Sequence, residues 1–358
     1  MIMAYKILYV EDQSSESREN DLQNLGYIVE SYDPPKDLGE IIAKVRENID
    51  ALVLDYRLTK GKNSICFDAP TIAQTLRSKH SESKLELPII LMSNENEITN
   101  YYKDFTSQDL FDFVISKKSF GDNKQGFSQK LNSFIQTYEK IKSVSFDLSE
   151  LLEIHSEDGI SISSLLCSKF SAKKGDVFAY SNLIYRDLIS SIGLLIGDDI
   201  LSARLGISKD SKDWEKVLES LKECHYNGVF SDHVSRWWMN KVDLWWKETI
   251  KSTKPLRYLD ASERVEIIKE SLSLDYIVPC DKTPLSNSSN FWTICQHSKQ
   301  PIDPFDGIEL IKEYSPWQEK EYLSIDSAVT VIENYKDEIS SIDKKVIREF
   351  AKKLNTNE

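Results

Sequence analysis

Apolar runs that end abruptly on a polar residue recur along the first part of the chain, separated by stretches with apolar residues at helical spacing. The run YKILYVED, Tyr5–Asp12, stops on two adjacent carboxylates, while ALVLDYRL, PIILMSNE and FDFVISKK carry Asp55, Ser93 and Lys117 at their ends. Unbroken apolar runs of this kind fit strands buried on both faces. After the first run the sequence predicts a helix capped by Ser14 or Ser15, with Leu22 and Leu25 turned inward and Gly26 at its end. A short strand at Tyr27–Ser31, an Asp33-Pro34-Pro35 turn and a second helix carrying Leu38, Ile41, Ile42 and Val45 follow. The alternation continues through a helix near Ala69–Lys79, a strand at Pro88–Met92, a helix near Ile98–Phe105, a strand at Phe111–Ser116 and a helix at Phe127–Lys142.

Five strands alternating with five helices predict an α/β domain with a flavodoxin-like, doubly wound, five-stranded parallel sheet. Its expected strand order is 2-1-3-4-5, with the site at the carboxyl ends of strands one and three. The alternation stops near residues 142–146, which sets expected domains at 1–143 and 144–358, the second mostly α-helical and of unknown type. Helices are predicted there at Val177–Gly193, Asp213–His225, Val234–Lys251, Ala261–Leu274 and Lys336–Leu354. The irregular stretch Asp275–Gly307 holds one expected strand, Phe291–Cys295.

Charge narrows the function classes. The net charge of −13 is spread over both parts, with 18 basic against 22 acidic residues up to Val144 and 27 against 36 beyond it. Neither part has the basic footprint of a protein held on nucleic-acid phosphates. Five scattered cysteines read as reduced thiols, no uncharged apolar stretch reaches membrane-spanning length, and MIMAYKILYV reads as a strand and not a leader. The expectation is a cytoplasmic protein with no membrane association.

If strands one and three are neighbours, Glu11, Asp12 and Asp55 gather three carboxylates, a ligand set for a hard divalent cation. A phosphorylatable carboxylate needs such a cation, a hydroxyl and an ammonium around the transferred group. Four strand ends carrying these groups in this order resemble the receiver domain of bacterial response regulators, over about the first 140 residues. That resemblance implies Asp55 as phosphoacceptor, Ser93 as switch hydroxyl and Lys117 as phosphate partner. It further implies Mg2+ held by Glu11, Asp12, Asp55 and the backbone carbonyl of Arg57. The implied donor is a sensor histidine kinase or a phosphotransfer protein, with output through a protein effector or as a phosphate sink; a homodimer stays open. No enzymatic activity is expected beyond self-phosphorylation and autodephosphorylation. Receiver proteins of this sort occur in phosphorelay-type operons, some in phage defence.

The chain departs from the family pattern in places. Thr59 stands where the family usually has proline, and the long loop Thr59–Pro70 carries Lys60, Gly61 and Lys62. Lys117 is followed by Lys118 and Ser119 instead of proline, so Lys118 is an alternative phosphate partner. The aromatic switch is Phe113 or is replaced by Val114, and Arg57 and Glu95 could pair across the mouth of the site. In the second part, Ile200–Ser208 followed by a helix from Lys212 or Asp213 has the look of a helix-turn-helix, but its second segment balances acids with bases and lacks Arg, Asn and Gln. The pairs Trp237–Trp238 and Trp245–Trp246 are expected on one helix, as an aromatic core or a partner face. Cys224, His225, His233, Cys280, Cys295 and His297 contain no CxxC pair, and buried thiols and ordinary histidines are preferred to a zinc site. The rival readings are a DNA-binding transcriptional regulator and a phosphorylation-independent docking or dimerisation module.

Overall fold

A computed structural model describes residues 4–12, 16–58, 67–78, 85–96, 98, 110–155, 160 and 162–356. The Ser14 and Ser15 cap, most of the loop after Leu58 and the helix expected near Ile98–Phe105 lie outside the described residues, apart from Ile98. The first strands and helices are β1 (Lys6–Val10), α1 (Glu16–Asn24), β2 (Ile28–Tyr32), α2 (Leu38–Val45) and β3 (Ala51–Leu54). They are followed by α3 (Ala69–Arg77), β4 (Ile89–Ser93), β5 (Phe113–Ser116), α4 (Lys117–Asp122) and α5 (Lys124–Ser143). The five strands form one parallel sheet in the order β2-β1-β3-β4-β5, the flavodoxin-like doubly wound arrangement.

The sequence dictates this sheet through burial. Every residue of β3 and of β4 is buried, so neither strand shows the in-out alternation of a sheet with one wet face. Leu8, Val10, Leu52, Leu54, Ile89 and Leu91 pack on one side against Ile41 and Val45 of α2 and Ile72 and Leu76 of α3. Local signals fix the helix ends: Asp37 accepts from the backbone of Gly39 to start α2, and Asn123 accepts from Gly126 to start α5. Gly26 ends α1 at φ +93, a conformation that favours glycine. The short helix α4 falls between the strand expected at Phe111–Ser116 and the helix expected at Phe127–Lys142, where the sequence predicts no element; Ser116 caps it by accepting from Ser119.

The chain divides into two compact units, and the first takes in Met1–Leu152, Ser168–Ile184 and Gly228–His233. It therefore extends past residue 143 and includes pieces of the later chain. On α5, Phe134 meets the ring of Phe230 at 4.9 Å between centroids, and Ser133 donates to Asp232. Beneath it, Asp112, just before β5, is almost fully buried and accepts from Arg77 (2.7 Å), the Ile89 amide (2.8 Å) and the Tyr138 hydroxyl (2.7 Å). Arg77 also donates to the carbonyl of Leu87 and stacks over the Phe178 ring. This polar network ties α3, β4, β5, α5 and the helix Val177–Ile184 together, with both carboxylate oxygens partnered.

The second unit is largely helical, with three two-stranded ribbons of two-residue strands. Several expected helices break differently. The one expected at Val177–Gly193 is α-helical only over Val177–Ile184 and passes into a π-helical turn, Tyr185–Ile189, while the last helix starts at Ser341. Trp237 and Trp238 are not helical: they pair antiparallel with Leu195 and Ile196, and the helix begins at Met239. All four tryptophans are buried, Trp237, Trp245 and Trp246 in one apolar cluster with Ile196, Trp214 and Val242. Of the stretch Phe291–Cys295 only Thr293–Ile294 is a strand, paired with Pro301–Ile302. Arg264 is wholly buried and donates to the carbonyls of Leu256, Arg204 and Phe291, which pins the helix Ala261–Leu272 to its neighbours. Among the described residues, no helix is long and apolar enough to cross a membrane.

Removing one member of a buried, hydrogen-bonded ion pair leaves an uncompensated charge and costs roughly 3–5 kcal/mol. Asp112→Ala is accordingly expected to lower the unfolding free energy by that amount, seen as a lower urea midpoint at an unchanged m-value, measured by equilibrium denaturation beside the parent chain. A loss under about 1 kcal/mol would mean that the network contributes no more than an exposed pair.

Candidate functional site

The strand order sets the site. β3 lies between β1 and β4, and the Asp55 amide donates to the Val10 carbonyl at 3.0 Å, so the residues that follow β1 and β3 emerge side by side. Glu11 and Asp12 follow β1, Asp55 follows β3, Ser93 ends β4, and Lys117 opens α4 directly after β5. Doubly wound sheets present their ligand crevice at this edge.

The side chains converge on Asp55. Ser93 donates its hydroxyl to Asp55 Oδ1 at 2.5 Å, and the Tyr56 amide donates to the same oxygen at 2.8 Å. Lys117 Nζ lies 2.8 Å from Asp55 Oδ2 and 2.9 Å from the Glu11 carboxylate. Glu11 also accepts from the Tyr9 hydroxyl and has Arg18 Nη1 at 4.0 Å. Exposure is 2 % for Glu11, 4 % for Asp55 and nil for Ser93. Lys118, the alternative one position on, is exposed, as are Arg57 and Glu95. Phe113 is buried, with its ring against Phe127 and Phe134 and the Lys130 ammonium 4.6 Å from its centroid, while Val114 is half-buried.

Burial and the nearby Asp55 raise the Glu11 pKa above the ordinary carboxylate range, by more than Tyr9 and Lys117 lower it. Burial pushes Asp55 up as well, but hydrogen bonds from Glu11, Lys117 and Ser93 outweigh it and hold Asp55 below its usual value. The environment thus shifts two like groups in opposite directions, Glu11 upward and Asp55 downward, and Asp55 lies against a hydroxyl and an ammonium.

Glu11, Asp12 and Asp55 each offer an oxygen, and these atoms lie within 4.8 Å of one another. Among the described residues this is the one group of three or more His, Cys, Asp or Glu side chains so close. Carboxylate oxygens at such spacing fit Mg2+, which binds a few carboxylates and keeps several waters. Two features lay outside the sequence reading: the helix start at Lys117, and the buried hydroxyl of Tyr9. The second has a visible signal, because residues two apart on a strand share a face and Tyr9 precedes Glu11 by two.

No protein-family model matches the chain, and no curated protein does. Many solved structures similar to its N-terminal part are receiver domains of response regulators. The response regulator receiver domain (CheY-like) from Methylobacillus flagellatus is 18 % identical over 36 % of this chain and 99 % of its own, with a TM-score of 0.28. A putative response regulator from Chloroflexus aurantiacus is 21 % identical over 38 % and 98 %, with a TM-score of 0.27. The BeF3-activated N-terminal receiver domain of Klebsiella pneumoniae RstA is 20 % identical over 37 % and 98 %, with a TM-score of 0.28.

Lys117→Met removes the cation between two buried acids, so both carboxyls would keep a proton to higher pH than in the unfolded chain. Stability from acids with raised pKa is present at low pH and lost as pH rises through the raised values. In metal-free buffer the variant is therefore expected to lose about 3–5 kcal/mol near pH 7.5 and clearly less near pH 5, measured by thermal denaturation. An equal loss at both pH values would mean that the ammonium does not neutralise the pair.

Proposed function

We propose that the chain is a response regulator whose N-terminal unit accepts a phosphoryl group on Asp55 from a phosphohistidine of a partner kinase or phosphotransfer protein. The observation that carries this reading is the double engagement of Asp55, by the Lys117 ammonium at 2.8 Å and the Ser93 hydroxyl at 2.5 Å, beside the carboxylates of Glu11 and Asp12. In the transfer, a carboxylate oxygen of Asp55 attacks phosphorus. The P–N bond to the donor imidazole breaks and an O–P bond forms; the bonding pair returns to the imidazole, which is protonated on its other ring nitrogen beforehand and leaves as the neutral ring. The low pKa of Asp55 keeps it in the attacking form.

Each neighbour has a matching part in that reading. Glu11, Asp12 and Asp55 would hold Mg2+, with the Arg57 carbonyl as a further ligand, and the cation supplies charge neutralisation for the phosphoryl oxygens. Lys117 moves from pairing two carboxylates to pairing the phosphoryl group, and Ser93 keeps its hydroxyl on that group. New charge at Asp55 then re-partners these two side chains, and a change of this kind biases the ends of β4 and β5. Output would pass through protein contacts of the later chain, or the protein would drain a kinase shared with another effector. The net negative charge of both parts supports protein partners over nucleic acid.

The test is intact-mass measurement after incubation with Mg2+ and acetyl phosphate, beside Asp55→Asn. A phosphoryl adduct on the parent chain alone is the expected result. If neither chain gains the adduct and beryllofluoride also fails to bind, the reading falls and a docking or dimerisation module takes its place.

A further inference from the structure

Tyr9 is wholly buried on β1, and its hydroxyl donates to Glu11 Oε2. Its neighbours Leu8 and Val10 pack into the apolar cluster with α2 and α3. Alternation along the strand therefore turns Tyr9 to the opposite face, the face that Glu11 shares. A phenylalanine would fill that core position without bringing a hydroxyl that needs a partner at this depth. Here the partner is one of the acids clustered with Asp55. The cations near Glu11 are differently placed: Lys117 is shared with Asp55, and Arg18 stands at 4.0 Å with its side chain 30 % exposed.

We propose that Tyr9 is a positioning residue for the acidic cluster, its phenol fixing the Glu11 carboxylate where its oxygen lies within 4.8 Å of those of Asp12 and Asp55. This rests on the receiver reading above. A glutamate has three side-chain torsions to order when it takes up a cation, whereas a packed tyrosine has two and has already lost them. Holding the carboxylate in advance removes an ordering cost from metal binding, the role played by hydrogen-bonding partners behind metal ligands generally. It acts on Glu11 alone, so its effect should vanish when Glu11 no longer binds metal as a carboxylate.

Four chains are compared: the parent, Tyr9→Phe, Glu11→Gln, and the two substitutions combined. Mn2+ affinity is read from the free-ion EPR signal, and the rate of acetyl-phosphate adduct formation is followed against Mg2+ concentration. Tyr9→Phe is expected to weaken Mn2+ binding about tenfold or more, with the adduct rate recovering at saturating Mg2+. In the Glu11→Gln background the change should stay under about twofold, since the two substitutions then act through one group. Unchanged affinity in Tyr9→Phe, or an equal loss in both backgrounds, overturns the proposal while a parent chain that gains the adduct keeps the receiver reading. A parent chain that neither binds Mn2+ nor gains the adduct overturns both. Should Tyr9→Phe fail to fold, 3-fluorotyrosine placed at residue 9 of the parent chain provides the readout. Its 19F resonance is expected to shift with the midpoint of Mg2+ binding, and a resonance that does not move overturns the proposal.

Discussion

Storing three acids at the end of a buried sheet is unfavourable unless something cancels their charge, and the Lys117 ammonium does so for two of them. Like charges at this separation in a medium poorer than water repel strongly, and each must also give up its hydration. One cation shared between Glu11 and Asp55 offsets both costs. The strand order follows from the same requirement in reverse. Only with β1 beside β3, and β5 two strands away, can a side chain from the start of α4 reach both carboxylates.

The two ends of β5 make a useful contrast. At its amino end Asp112 is enclosed by Arg77, Tyr138 and a backbone amide, every partner is protein, and the arrangement has nothing to exchange. At its carboxyl end Lys117 holds two acids, and Ser93 at the end of the neighbouring β4 holds one. Phe113, the first residue of β5, stacks on Phe134, which in turn meets Phe230, so apolar packing continues from this strand into a segment far along the chain.

The sheet was legible because β1, β3, β4 and β5 are largely apolar and end at or just before a polar residue, whereas β2, IVESY, is exposed or half-buried along its length. Asp55, Glu11, Asp12 and Ser93 were legible for the same reason, as the first polar groups after buried runs. The reading failed where tertiary contacts override local pattern. Trp237 and Trp238 sit at helical spacing from Trp245 and Trp246, yet pairing with Leu195 and Ile196 holds them extended, because a two-residue ribbon is stabilised by a distant segment that no local window contains. The short helix after Ser116 escaped because six residues leave no measurable period, and its start is set by a serine cap. Tyr9 was hidden among apolar neighbours, where a hydroxyl does not alter the hydrophobic pattern.

The first unit is not a continuous stretch of chain. It ends its own run at Leu152 and is completed by Ser168–Ile184 and Gly228–His233. During synthesis the sheet could assemble once β5 and α5 have left the ribosome, but Phe178 cannot cover Arg77, nor Phe230 cover Phe134, until much later. Domains that emerge whole can fold as they are made. This one must wait, with part of its surface uncovered, until His233 has been made, so two stretches of the second unit are synthesised before the unit that carries Asp55 is complete.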